Sequence, residues 1–290
     1  MSLTSFLKLP DVRKRFRGEI EVPRILDQRN IVAPAQSNRY SLVGTAFDYL
    51  FRFHLQRFNR SAITRPWVAE QGLAYLAEPG FGGFMDARSD TLRWLPHPKL
   101  RKARLLFARA RAAHAWFLKS GRLTEGLLKT STFLAQLDFV VRAEYVDENL
   151  GHATQKDLRD LRRLISVVPW KQFRCKRLCV LNPSFGKASR LVGGADADLL
   201  LDDILVDIKT TKTLMLRPEY LFQLVGYVIL HRLGSIDGLK SKPHISKIAI
   251  YFSRHAHLQV FELNDVISPR CLASFATWFR GRASRYYVDA

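Results

Sequence analysis

The run from Gly193 to Lys212, GGADADLLLDDILVDIKTTK, limits the fold more than any other stretch of the chain. Two short apolar segments flank Asp202-Asp203, a turn signal, so the spacing predicts a tight antiparallel hairpin. Such a turn sets Leu201 opposite Ile204, Leu200 opposite Leu205, Leu199 opposite Val206 and Asp198 opposite Asp207. Side chains alternate along a strand, so Asp207 and Lys209 share a face and Asp198 meets them from the neighbouring strand. Two opposed carboxylates beside a lysine are costly to assemble and have no packing use. They suit a divalent cation next to water. The competing reading is a surface hairpin with an ordinary ion pair, and D-x-K alone does not separate the two.

Asp198 and Asp207 are therefore the expected metal ligands, with the backbone carbonyl of Ile208 as a further oxygen. Few carboxylates and several retained waters suit Mg²⁺ or Mn²⁺. Asp196 shares the face of Asp198, but Asp198 lies directly across from Asp207 and is preferred; Asp196 is left for a second ion. Lys209 would orient the attacking water or stabilise charge developing on phosphorus. The next segment, RPEYLFQLVGYVILHRL, reads as a helix opening at Pro218 and closing at Gly234. Tyr220, Gln223 and Tyr227 fall three and four residues apart on one face, where their polar groups need partners.

Along the chain, helices are expected at 42–58, 66–78, 98–119, 123–147 and 154–166, the last with Thr154 as N-cap. Strands are expected at 177–182, 189–201, 204–211, 246–253 and 257–263, and a final helix at 265–285. The order implies an α/β fold with a mixed sheet, divided into a mainly helical region at 1–175 and a core at 176–290. The Gly/Pro stretches at 79–83 and 88–98 read as lids or joints.

Charge narrows the partners. Lys and Arg number 46 against 26 Asp and Glu, a formal +20, and such a surplus favours a polyanion through counterion release. DNA is the first expectation, with RNA not separated from it. Arg101, Arg104, Arg109 and Arg111 on one helix and Arg162 and Arg163 on another are candidates for gripping its backbone. No apolar run reaches membrane-span length, and the N-terminal apolar patch precedes its charges, the reverse of a secretory signal. Three cysteines argue against a disulfide framework and for a reducing cytoplasm. Cys175, Cys179 and Cys271 also fall short of a four-cysteine cluster for iron–sulfur or zinc, so they read as ordinary thiols. Gly186-Lys187-Ala188 lacks the rest of a P-loop, so no ATPase is expected.

Asp198, then Asp207-x-Lys209, then Gln223-x-x-x-Tyr227 resembles the PD-(D/E)xK nuclease superfamily, and within it the RecB-like branch that includes CRISPR-associated exonucleases. The resemblance implies a restriction-endonuclease-like core, a mixed central sheet flanked by helices, and metal-dependent hydrolysis of DNA phosphodiesters. It implies catalytic roles for Asp198, Asp207 and Lys209, with Gln223 and Tyr227 aligning substrate. That branch also carries an upstream G-x-x-x-H helix. Here Gly44 is followed by Asp48, so the resemblance implies Asp48 as a further metal ligand in place of the histidine, while His54 falls off the motif and reads as structural. A nuclease with no helicase attached implies a phage-defence, mobile-element or DNA-repair setting, with a protein partner that delivers substrate or regulates cutting. The alternative is a nuclease-fold protein that binds nucleic acid, or scaffolds a nucleoprotein complex, without turnover.

Overall fold

The structure, a computed structural model, describes residues 2–23, 30–78, 84–86 and 93–286, without side chains for 84–86 and 93–95. The expected lid or joint at 79–83 and the first part of the one at 88–98 lie outside the described residues. The chain forms two compact units, and they do not divide at residue 175. One unit takes the described parts of Met1–Val32, Ser61–Arg65 and Pro169–Ala290; the other takes Ala33–Arg60 and Pro66–Val168.

The second unit is helical. Its helices run Tyr40–Phe58, Val68–Tyr75, Leu100–Ser120, Glu125–Ala143 and Gln155–Ser166, with a short antiparallel ribbon of β1 (Phe84–Asp86) and β2 (Arg93–Leu95). Glu125–Ala143 is the central helix, buried along most of its length and packed by the four others. A close helix crossing depends on Gly72, because a Cβ there would sit 2.1 Å from the Leu137 carbonyl oxygen. Alanine usually favours a helix over glycine. Here the obstacle is backbone, which cannot rotate away, so Gly72→Ala is expected to destabilise the unit by about 2 kcal/mol, read as a lowered urea midpoint.

The same helix buries Asp138, which accepts a hydrogen bond from the Tyr49 hydroxyl at 2.5 Å. Burial is the largest influence on this carboxyl and raises its pKa to about 6, against the pull of Tyr49 and Arg142. The stability this group contributes is present below pH ~4, where the unfolded carboxyl is also protonated, and is lost as pH rises through about 6. Asp138→Asn is expected to remove that loss, so the fall in Tm between pH 4.5 and 7 should flatten in thermal scans across the range.

The first unit is built on a mixed five-stranded sheet, confirming the α/β class. Its strands are β3 (Cys179–Leu181), β4 (Leu199–Leu201), β5 (Ile204–Lys209), β6 (Lys247–Phe252) and β7 (His257–Glu262), lying in that order across the sheet. Neighbours are antiparallel except β5 and β6, which are parallel. A parallel pair needs a crossover, and the helix Pro218–Leu233 supplies it. That helix is apolar nearly all round because it is covered on both sides, a burial its weak amphipathicity requires. Ile63 adds an isolated parallel bridge to Val180 at the β3 edge.

Three expectations are corrected. Residues 189–201 do not form one strand. Lys187–Arg190 is a helical turn, Gly193 and Gly194 take positive φ, and only Leu199–Leu201 joins the ladder. Consecutive glycines outside the extended region interrupt a strand whatever apolar residues flank them. The last strand of the hairpin stops at Lys209, two residues short of the expected 211. The C-terminal helix is split into Leu263–Val266 and Pro269–Tyr286, because Pro269 disfavours helical backbone at Ser268.

The division of the chain has a cause the sequence does not advertise. The helices Leu3–Phe6 and Pro10–Glu19 bring Phe6 and Phe16 into the sheet unit's core, against Phe222, Phe275 and Phe279 at ring separations of 4.6–6.2 Å. Leu3 N–H also donates to the Gly194 carbonyl at 3.0 Å. No described helix is long and apolar enough to cross a membrane.

Candidate active site

The hairpin forms with the expected register: Leu201 faces Ile204, Leu200 faces Leu205 and Leu199 faces Val206. Asp202 takes the left-handed conformation in the turn, φ 53°, and its carboxylate accepts the backbone N–H groups of Lys176, Arg177 and Leu178. Burial resists that charge, but the three hydrogen bonds hold the Asp202 carboxyl below the usual carboxylate range. One turn residue thus fixes both the hairpin and the start of β3. Its neighbour Asp203 accepts from the Ser246 hydroxyl and ties the hairpin to the entry of β6.

One step beyond the last ladder pair lies Asp198. Its Oδ2 accepts the backbone N–H of Ile208 at 2.5 Å, so the side chain takes over where the β4 backbone leaves off. This contact places the Asp198 carboxylate beside the strand segment that carries Asp207. Asp207 is 2% exposed, and its Oδ2 lies 2.7 Å from Lys209 Nζ. Asp196 is half-buried, and its backbone forms an isolated bridge to Ser184 in the β3–β4 connection.

The crossover helix adds the next links. Lys209 Nζ donates to Gln223 Oε1 at 2.9 Å, and Gln223 Nε2 donates to the Tyr227 hydroxyl at 2.7 Å. The Lys209 ammonium also stands 4.9 Å from the centre of the Tyr220 ring, a cation–π distance. Tyr227 is only 5% exposed and stacks on Phe185. It therefore anchors Gln223, which in turn directs Lys209.

Electrostatics agree with this geometry. Burial works against the charge on Lys209, yet Asp207, by charge and by hydrogen bond, and Asp198 raise its pKa above the ordinary lysine value. The lysine is thus an ammonium at neutral pH. Burial pushes the Tyr227 hydroxyl well above the usual tyrosine range, and the charges of Asp207, Asp198 and Asp196 push it further. Tyr227 is a neutral donor and acceptor, with three carboxylates close enough to be felt.

The sheet unit thus gathers Asp198, Asp207, Lys209, Gln223 and Tyr227. Asp48 belongs to the helical unit. It sits one turn after Gly44 on Tyr40–Phe58, and its Oδ2 pairs with Arg52 at 2.5 Å. Its Oδ1 is shielded from solvent with no hydrogen-bond partner among the described residues. His54 donates through Nδ1–H to the Leu50 carbonyl and packs on Phe117, a structural placement.

The basic residues singled out in the sequence also lie in the helical unit. Arg101, Arg104, Arg109 and Arg111 are exposed on Leu100–Ser120, as are Arg162 and Arg163 on Gln155–Ser166. Arg111 has a structural duty as well, pairing with Glu70 at 3.0 Å and lying over Trp67 and Phe107. The three cysteines are free thiols.

Lys8 and Arg13, outside the expected site, line a cavity of about 480 Å³ whose inner wall includes Lys209 and Gln223. Arg13 belongs to a basic run with Lys14, Arg15 and Arg17, but nothing local in the sequence ties that run to a hairpin almost two hundred residues away.

For a cation, the sheet unit offers two adjacent carboxylates and the Ile208 carbonyl, a hard all-oxygen set. Among the described residues no group of three or more His, Cys, Asp or Glu converges. The donors present fit Mg²⁺ or Mn²⁺ better than zinc, which selects nitrogen and sulfur. No family model matches the chain, and no curated protein or solved structure matches it either.

Proposed function

We propose that the sheet unit is a restriction-endonuclease-like core and that the chain is a Mg²⁺- or Mn²⁺-dependent deoxyribonuclease of the PD-(D/E)xK kind. The observation that carries this reading is the relay Asp207–Lys209–Gln223–Tyr227, with Asp198 on the adjoining strand end. A structural ion pair would not need a half-buried glutamine and a buried tyrosine to hold its lysine in place. The charge of +20 supports a polyanionic substrate, with the exposed arginines of the helical unit contributing to its capture.

Asp198, Asp207 and the Ile208 carbonyl would hold the ion. When bound, it supplies the positive charge that acidifies water and stabilises the leaving oxygen. In the reaction, water oxygen bonds to phosphorus, the bridging P–O bond breaks, and a proton reaches the departing alkoxide. Lys209, kept charged by Asp207, donates hydrogen bonds toward the non-bridging phosphate oxygens as their charge grows. Gln223 and Tyr227 are positioning residues that confine the ammonium to one direction.

The test is incubation of the purified chain with linear and circular, single- and double-stranded DNA in Mg²⁺, Mn²⁺ or EDTA. Cutting with either ion and none in EDTA is the expected result. Cutting in EDTA, or cutting that survives Asp207→Ala, would overturn it. Tight, salt-sensitive binding without cutting in any buffer would leave a nucleic-acid-binding protein that keeps the fold without turnover.

A further inference from the structure

Resting on that reading, we propose that the cavity beside Lys209 is a pocket for one unpaired nucleotide, built by the N-terminal segment of the chain. Its inner wall is formed by Lys209, Gln223 and Tyr220, and its outer wall by Thr4, Leu7 and Lys8. A volume of about 480 Å³ lies in the range of small-ligand clefts. It accommodates a nucleotide and is too small for a paired duplex end with its two backbones.

The chemistry of the walls selects the occupant. The lining is largely apolar, as a base requires, and Tyr220 offers an aromatic face already positioned by its contacts with Lys209 and Phe252. Positive charge stands at both ends. Lys209 marks the reaction centre, and Lys8 is exposed with no ion-pair partner among the described residues. Arg13 is already engaged by Glu219, which closes the rim beside Tyr220. A base in the apolar part would direct its phosphates to the two lysines.

The outer wall is a fixed part of the unit. Phe6 and Phe16 are fully buried on either side of it, Leu3 is hydrogen-bonded to Gly194, and Arg282 holds Asp11 at 2.6 Å. The pocket is therefore preorganised, and a nucleotide entering it is separated from its pairing partner next to Lys209. The consequence is a preference for single-stranded or frayed DNA over a closed duplex.

The experiment measures fluorescence anisotropy of labelled single-stranded and blunt duplex oligonucleotides in EDTA, where hydrolysis is suppressed. Deoxyadenosine monophosphate serves as competitor. Single strands should bind more tightly than the duplex, and the mononucleotide should displace them. Lys8→Glu and Thr4→Trp, which change only the exposed outer wall, should each weaken single-strand binding about tenfold and leave duplex binding unchanged. Tyr220→Leu should do the same, and Tyr220→Phe should restore it.

Equal affinity for both DNA forms, or variants that bind single strands like the wild type, would overturn the pocket. Because binding is read without turnover, the pocket stands or falls separately from catalysis. Metal-dependent cutting of both forms at one rate, unaffected by Lys8→Glu, would leave the nuclease reading intact and refute this inference.

Discussion

Lys209→Met is expected to lower metal-dependent DNA hydrolysis by about 10³-fold, the loss typical of removing one preorganised donor from developing negative charge. Asp207→Asn is expected to lose at least as much, since it removes a proposed metal ligand together with the partner that raises the Lys209 pKa. Single-turnover rates at saturating DNA separate this from weakened binding; the fall should appear in kcat and not in KM.

The lysine variant carries a second signature. Asp207 is 2% exposed, and Lys209→Met removes the ammonium that pairs with it, so the variant should also lose stability. Mg²⁺ should restore it by taking the lysine's neutralising place. The Tm of Lys209→Met is therefore expected to rise more with millimolar Mg²⁺ than that of the wild type. An equal or smaller rise would show that the carboxylates do not share an ion.

Asp157→Ala is expected to have the largest effect on stability, about 3 kcal/mol, or roughly 10 °C in Tm. Asp157 looks like a helix-cap residue, and it does accept the Thr154 N–H at 2.9 Å in a reciprocal capping box. A cap alone contributes about 1 kcal/mol. Here the same fully buried carboxylate also accepts from the Ser37 hydroxyl at 2.6 Å and pairs with Arg39 at 3.0 Å. One residue caps its own helix and fastens the approach to Tyr40–Phe58. Asp160 reinforces the joint by accepting the N–H groups of Gln36 and Ser37.

Acid supplies a check on the same group. Burial pushes the Asp157 carboxyl up, but the hydrogen bonds from Ser37 and Thr154 and the charge of Arg39 bring it below the ordinary value. Its contribution is present above pH ~4 and is lost as pH falls through the lowered folded value. The wild type should lose Tm on acidification through this window, and Asp157→Ala should lose less.

How far the sequence could be read depended on the range of the contact involved. Thr154 was legible as an N-cap because a cap is a local feature, but the ties of Asp157 to Ser37 and Arg39 cross more than a hundred residues and stayed invisible. Gln223 and Tyr227 were legible as a polar face, because helical spacing is local. Their order of contact, with Tyr227 buried behind Gln223, was not. The expected strand at 189–201 is interrupted because the backbone of Gly193 and Gly194 leaves the extended region.

By itself, the sequence determined the hairpin, its register and the shared face of Asp207 and Lys209. Those follow from strand alternation and a two-residue turn, which are properties of twenty contiguous residues. It also determined the charge that favours a polyanion. Only the tertiary structure decided what surrounds Lys209. The parallel pairing of β5 with β6 positions the crossover helix so that Gln223 reaches the ammonium, and apolar burial of Phe6 and Phe16 draws residues 2–19 out of the helical half. Both depend on contacts between residues from 14 to more than 200 positions apart around one core, a cooperative outcome of packing that no local pattern encodes.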